Sequence, residues 1–170
     1  GMFTKTSTSP PTTDRNGAVI APYDFDNDGD NDVFIGSRSV PGVDGIEPKH
    51  FLLENEGKGN FTNVIDKKAF KINAYGMITD AVWEDIDNDS KKDLILVGEW
   101  NAPVIFKNTG RRLTTFSSNL TEWSGFWNTV ECVDLNNDGK KDLILGNKGT
   151  NTSYKATKEK PMKLFINDYD

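Results

Sequence analysis

Acidic and amide side chains recur three times in this chain at a spacing that suits a hard cation. The first copy reads Asp24-Phe25-Asp26-Asn27-Asp28-Gly29-Asp30-Asn31-Asp32. The second is Asp85-Ile86-Asp87-Asn88-Asp89-Ser90-Lys91-Lys92-Asp93, and the third Asp134-Leu135-Asn136-Asn137-Asp138-Gly139-Lys140-Lys141-Asp142. Each places carboxylates or an amide at offsets 0, 2, 4 and 8. Carboxylates gathered so densely repel one another, and folding them into one loop is unfavourable unless a cation sits among them. Calcium takes six to eight oxygens at roughly 2.3 to 2.6 Å, here from side chains at loop positions 1, 3 and 5, a backbone carbonyl at 7 and an oxygen at 9. In the first loop the candidate ligands are Asp24, Asp26, Asp28, the carbonyl of Asp30, and Asp32. In the second they are Asp85, Asp87, Asp89, the carbonyl of Lys91, and Asp93; in the third, Asp134, Asn136, Asp138, the carbonyl of Lys140, and Asp142. Up to three calcium ions are expected, one per loop, in a structural role. Magnesium fits less well, because it demands octahedral geometry and keeps its waters.

The sixth position must turn sharply, and it is Gly29 and Gly139 in two copies, as a positive φ requires. Ser90 stands there in the second copy, so a strained or weaker second site is expected if the backbone is shared. The loops are not EF-hands: the bidentate glutamate required at position 12 is replaced by Ile35, Leu96 and Leu145. Position 9 instead opens a short apolar run closed by glycine, Val33-Phe34-Ile35-Gly36, Leu94-Ile95-Leu96-Val97-Gly98 and Leu143-Ile144-Leu145-Gly146. Runs of this length suit buried strands better than helices. Apolar segments also lead into each loop, at residues 18–21, 78–83 and 127–133, so the repeating unit is strand, acidic loop, strand.

Further strands must flank that unit. His50 to Asn55 reads as a strand, Glu56 to Asn60 as a tight turn and Phe61 to Ile65 as its return. Ala102 to Asn108, Thr109 to Arg112 and Leu113 to Phe116 repeat the plan, and Met162 to Asn167 occupies the corresponding place in a third unit. From Asp24 to Asp85 is 61 residues and from Asp85 to Asp134 is 49, lengths that accommodate one four-stranded propeller blade each. Residues 1–16, rich in Thr, Ser and Pro, read as an extended or disordered lead-in, and the repeats as about 17–76, 77–125 and 126–170. Leu164 to Asp170 reads as the approach to another loop that stops after two acidic positions, so the chain is expected to be a segment of a longer repeat protein.

An acidic loop, an apolar strand, a glycine, then a strand ending in Asn and a turn with glycine resemble the FG-GAP or VCBS repeats of integrin-alpha-like β-propellers. Gly98-Glu99-Trp100 ahead of Pro103-Val104, and Gly125-Phe126-Trp127-Asn128, are similar to segments of large bacterial surface proteins that carry such repeats. The resemblance spans roughly residues 17–170. It implies calcium in the loops, an extracellular or cell-surface setting, and a role in adhesion or in binding a protein or glycan ligand. The expected fold is therefore all-β, a partial propeller of about three four-stranded antiparallel blades. Three blades are too few to close the usual ring of four to eight, so open blade edges and self-association through them are expected.

Composition narrows the alternatives. With 20 basic and 26 acidic residues the net charge is −6, which argues against general nucleic-acid binding, and three divalent ions would offset it. No run approaches the 18 apolar residues of a membrane span, so no membrane insertion is expected. Cys132 is the only cysteine and reads as a small core hydrophobe. His50, the only histidine, lacks the partners of a zinc site and is expected to be structural at the surface or partly buried. Trp83, Trp100, Trp123 and Trp127 are blade core or, for Trp123 and Trp127 above all, a platform for sugar stacking. Lysines 148, 155, 158, 160 and 163 form a basic, solvated stretch. Glu84, Glu99, Glu122 and Glu131 are acids left outside the loops, and they show no catalytic spacing. A non-catalytic module is the reading, with part of a propeller-type carbohydrate-active enzyme as the alternative.

Overall fold

The computed structural model describes residue 2 and residues 15–43, 45–149, 152–157 and 159–165. Most of the expected lead-in, Asn151, Lys158 and the beginning of a further loop at residues 168–170 lie outside the described residues. Ten strands are formed among the described residues: β1 (Asn16–Tyr23), β2 (Asp32–Ser39), β3 (Phe51–Asn55), β4 (Phe61–Asn63), β5 (Met77–Glu84), β6 (Asp93–Asn101), β7 (Val104–Asn108), β8 (Leu113–Thr115), β9 (Gly125–Val133) and β10 (Asp142–Asn147). β1 to β4 form one antiparallel meander, and β5 to β8 a second with the same order. β9 and β10 begin a third. The fold is the all-β, partial propeller that the repeats demand, with two complete four-stranded blades.

Register repeats between the blades. Val33, Phe34 and Ile35 of β2 face Leu53, Leu52 and Phe51 of β3, while Leu94, Ile95 and Leu96 of β6 face Phe106, Ile105 and Val104 of β7. In the third unit, Met162 to Phe165 does not form the expected strand against β10. Met162 and Leu164 instead line cavities beside Trp100. β6 also runs past the end of β5 and pairs with the start of β9, Glu99 with Phe126 and Asn101 with Gly125. Trp100 lies in that irregularity at φ 68°, a conformation rare for a bulky side chain.

The burial of β6 explains its uninterrupted apolar sequence. Side chains alternate across a strand, and here both faces are covered. Leu94 and Leu96 belong to a core shared with Phe25, Phe34, Leu52 and Trp83 from the first two blades. Ile95 and Val97 belong to a second core with Ile105, Leu120 and Val130. All four are fully buried. Blades are joined by hydrogen bonds as well: Trp83 Nε1 donates to the Ala21 carbonyl at 3.1 Å, and Thr79 Oγ1 donates to the Trp127 carbonyl at 2.7 Å.

Phe61–Asn63 is shorter than the expected return strand, because the chain leaves it for a helical turn, α1 (Ile65–Lys68), and a 3₁₀ turn at Phe70–Ala74. Ile65, Ala69 and Ile72 are buried at helical spacing, which is the physical reason for the switch. His50 is fully buried, deeper than its sequence setting suggested. Its Nδ1 accepts the Ser37 N–H at 3.1 Å, so it ties the segment before β3 to β2. Cys132 is half-buried against the second core, and burial pushes its thiol up to about 11.

Candidate metal centres

Each acidic loop joins the first two strands of its unit, β1 to β2, β5 to β6 and β9 to β10. The loops fold by one hydrogen-bond plan. The first aspartate accepts two backbone N–H groups, those of Asp28 and Gly29 on Asp24 at 3.1 and 3.0 Å, of Asp89 and Ser90 on Asp85 at 3.1 and 2.8 Å, and of Asp138 and Gly139 on Asp134 at 3.1 and 2.8 Å. The fifth position then accepts the N–H of the seventh: Asp30 to Asp28 at 2.9 Å, Lys91 to Asp89 at 2.9 Å and Lys140 to Asp138 at 2.8 Å. These bonds wind the chain so that alternate side chains converge.

Two left-handed residues make this winding possible. The sixth position has φ 98° at Gly29, 67° at Ser90 and 82° at Gly139, so the second loop keeps the shared backbone and Ser90 carries the strain. The fourth position is also left-handed, with φ 62° at Asn27, 60° at Asn88 and 60° at Asn137. Asparagine tolerates that region better than other residues with a side chain. Its recurrence at the fourth position of all three copies was the available signal.

Convergence differs among the loops. Asp24, Asp26 and Asp28 bring one carboxylate oxygen each to within 4.8 Å of one another, and Asp85, Asp87 and Asp89 do the same. In the third loop Asn136 replaces the middle carboxylate, and its amide is used locally: Oδ1 accepts the Asp138 N–H at 2.9 Å and Nδ2 donates to Asp138 Oδ2 at 3.2 Å. The ninth residue straps the loop to its blade. Asp32 accepts the Phe25 N–H at 3.0 Å and the Asn55 N–H at 2.8 Å; Asp93 accepts the Asn108 N–H at 2.8 Å; Asp142 accepts the Leu135 N–H at 3.0 Å. Asp30, Lys91 and Lys140 occupy the seventh position, where the backbone carbonyl is the candidate donor.

The electrostatics favour a cation. Burial raises Asp32 to about 6, opposed by the Asn55 and Phe25 amides and reinforced by the charges of Asp26 and Asp28. Asp93 is raised for the same leading reason, opposed by the Asn108 and Ile86 amides and reinforced by Asp89 and Asp85. Asp93 Oδ2 and Asp26 Oδ1 are both buried without completing a hydrogen bond. Unsatisfied carboxylate oxygens among like charges, in an all-oxygen donor set, fit a hard divalent cation. The residues that would hold it are Asp24, Asp26 and Asp28 with Asp32 behind them, and Asp85, Asp87 and Asp89 with Asp93 behind them.

Three charged neighbours were not legible from the loops alone. Lys68 of α1 pairs with Asp26 at 3.0 Å and with Glu54 of β3. Lys107 of β7 pairs with Asp87 and stands 3.2 Å from Asp89. These residues come from elements distant in sequence, so only the fold delivers them.

Away from the loops, Trp100, Trp123, Phe126 and Met162 line a cavity of about 510 Å³ with Glu122 and Thr157. Trp100 and Phe126 meet edge to face at 4.7 Å between ring centroids. Trp127 is turned away from this role: it packs on the second core and donates its Nε1 hydrogen to the Trp123 carbonyl at 2.8 Å. Of the acids outside the loops, Glu99 is held by Arg38 at 2.6 Å and Glu84 faces Lys141 at 3.8 Å.

Among curated proteins none matches the chain. Residues 85–145 match the family model described as an FG-GAP-like repeat. The match opens on Asp85, the first acid of the second loop, and closes in β10, so it takes in the whole second blade beyond β5 and the third loop with its strands. The first blade repeats the same loop, strand order and register outside the matched span. With its acidic loops between paired strands, the chain is thus similar over residues 85–145 to an FG-GAP-like repeat.

Proposed function

We propose that this chain is a calcium-binding propeller module of the extracellular or cell-surface kind, which binds a protein or glycan ligand and has no catalytic activity of its own. The observation that carries the metal part is the pair of aspartate triads, each with its oxygens within 4.8 Å, built on identical hairpins. A bound calcium ion would supply positive charge beyond that of Lys68, Lys91 and Lys107, which leaves each loop with an excess of carboxylates. The chain supplies the rest: Asp24 and Asp85 wind the loops, Asn27 and Asn88 turn them, and Asp32 and Asp93 fasten them to β3 and β7. Reduced repulsion then favours the folded hairpin, so the ion's role is to hold blades in shape.

The third loop, with Asn136 in place of a carboxylate, is the weakest candidate of the three. One loop per repeat, with units of about 17–76, 77–125 and 126–170, is supported by the recurrence of an acidic loop between the first two strands of each unit. Exposed Ile20 on β1 and Ile144 on β10 support self-association through open blade surfaces.

The test is thermal unfolding of chelator-stripped protein with calcium added back. An ion at a hundred times its dissociation constant stabilises the folded state by about 2.7 kcal/mol. The melting temperature is therefore expected to rise by several degrees, and Asp26→Asn with Asp87→Asn should abolish the rise. No response at millimolar calcium would overturn the metal reading.

A glycan is the ligand favoured by the aromatic cavity. Trp100, Trp123 and Phe126 line it together with Glu122 and Thr157, the mix of aromatic wall and a few polar residues that suits a pyranose. Screening wild type and Trp123→Ala on a glycan array separates the readings. Binding lost in the variant supports it, turnover of a bound glycan supports the enzyme alternative, and no binding by wild type leaves a protein ligand.

A further inference from the structure

β3 and β7 occupy the same place in successive blades, and one position on them carries opposite charge. Asn55 and Asn108 are equivalent: each gives its N–H to the ninth loop residue at 2.8 Å, and each accepts a glycine N–H two residues on, Gly57 at 3.0 Å and Gly110 at 2.8 Å. The residue before each is Glu54 in the first blade and Lys107 in the second. Both side chains reach the ionic group of their own loop, Glu54 through Lys68 and Lys107 directly through Asp87 and Asp89.

The two loops are therefore not copies electrostatically. Around the first stand Asp24, Asp26, Asp28, Asp32 and Glu54, with Lys68 as the paired ammonium. Around the second stand Asp85, Asp87, Asp89 and Asp93, with Lys107 and, 3.6 Å from Asp89, Lys91. Five carboxylates and one ammonium face four carboxylates and two ammoniums. The second loop nevertheless keeps the mark of a cation site, since Asp93 is fully buried and its Oδ2 lacks a complete hydrogen bond beside the Asp85 and Asp89 charges.

We propose that Lys107 is a tethered competitor for divalent cations at the second loop, so that this loop loads only by exchanging its ammonium, at higher calcium than the first. The proposal rests on the metal-binding reading above and adds a graded response to it. An ammonium on Asp87 and Asp89 occupies the oxygens that would turn to the ion, and its own charge opposes the ion's approach. In the first loop Glu54 engages Lys68, drawing that ammonium partly away from the aspartates. Calcium would thus order the first hairpin over a lower range of concentration and the second over a higher one.

Calcium titration of the intact chain by nuclear magnetic resonance tests this, with the Gly29 and Ser90 amides as separate reporters of the two loops. In wild type the Gly29 signal should reach its midpoint at lower calcium than Ser90. Lys107→Gln should shift the Ser90 midpoint about five- to tenfold lower, the scale of one partly exposed ion pair, and leave Gly29 in place. Lys107→Glu, which copies the first loop, should shift it further. Lys92→Gln serves as the control, because Lys92 lies over the Tyr23 ring at 5.9 Å. An unmoved or weakened Ser90 transition in Lys107→Gln, or an equal shift in Lys92→Gln, overturns the proposal while Gly29 still reports calcium. If neither amide responds in wild type, this proposal and the metal reading fall together.

Discussion

At the scale of the residue, backbone demands and charge explain most of what the repeats contain. Asn27, Asn88 and Asn137 recur because a left-handed residue is needed between the third and fifth positions, and Ser90 shows that the plan survives a poor choice at the sixth. His50 is the residue whose chemistry is most altered by folding. Burial, reinforced by the charge of Arg15 and opposed only partly by the Gly76 backbone, pushes it down to about 4 from an ordinary 6.5. Above pH 6.5 it is neutral in both the folded and unfolded states. Below that pH the unfolded state takes up the proton first, so stability falls as pH drops from 6.5 toward 4, by on the order of 2 to 3 kcal/mol. Asp32, raised to about 6, acts in the opposite sense over the same range. Urea unfolding of wild type and His50→Gln in chelator, at pH 7 and pH 4, removes that overlap by difference. The advantage of wild type over the variant should shrink at pH 4, and a constant difference would contradict the assignment. The sequence displays the acids of the loops because their spacing is local. Its silence about His50 has a physical cause, since a lone histidine carries no periodic pattern to show which way it points.

At the scale of the element, strand, loop and hairpin were legible because their signals repeat at short range. The continuous apolar run of β6 and the turn at Glu56 to Asn60 need only neighbouring residues to be read. α1 was less visible, although Ile65, Ala69 and Ile72 hold the spacing of a helical face, because four residues offer barely one turn of pattern. The side-chain amide of Asn108 was invisible. It donates to the Phe25 carbonyl at 2.9 Å, 83 residues away, and so fixes β7 against the first acidic loop. Asn108→Ala should cost about 2 to 4 kcal/mol, because it strands a buried carbonyl and the Gly110 N–H together. Asn55→Ala is the comparison: Asn55 bonds the Asn31 carbonyl at an exposed site, and a smaller loss in chemical denaturation is expected. Equal losses would show that the blade contact contributes little.

At the scale of the whole molecule, the blades stand against one another through their inner strands and share two cores that meet at β6. The third unit contributes β9 and β10 among the described residues, and Val133, Leu135 and Ile144 of this unit are exposed. The chain as a propeller arc was readable from three matching units, whereas the course of Met162 to Phe165 was not, because a strand sequence specifies a strand only where an edge is offered in register. β6 has the opposite standing, with partners on both edges and a core on both faces. Its amides therefore have no local route to water, and hydrogen exchange at Leu94 to Val97 should require the whole arc to come apart. Exchange along β10, which has β9 on one side, should proceed through opening of the last unit alone. Deuterium uptake that is slow in β6 and fast in β10 is expected, and equal uptake would mean that the arc opens as one cooperative body. With β6 the slowest to exchange, the middle blade lasts longest under mechanical or thermal stress, and this module is one that frays inward from its flanks.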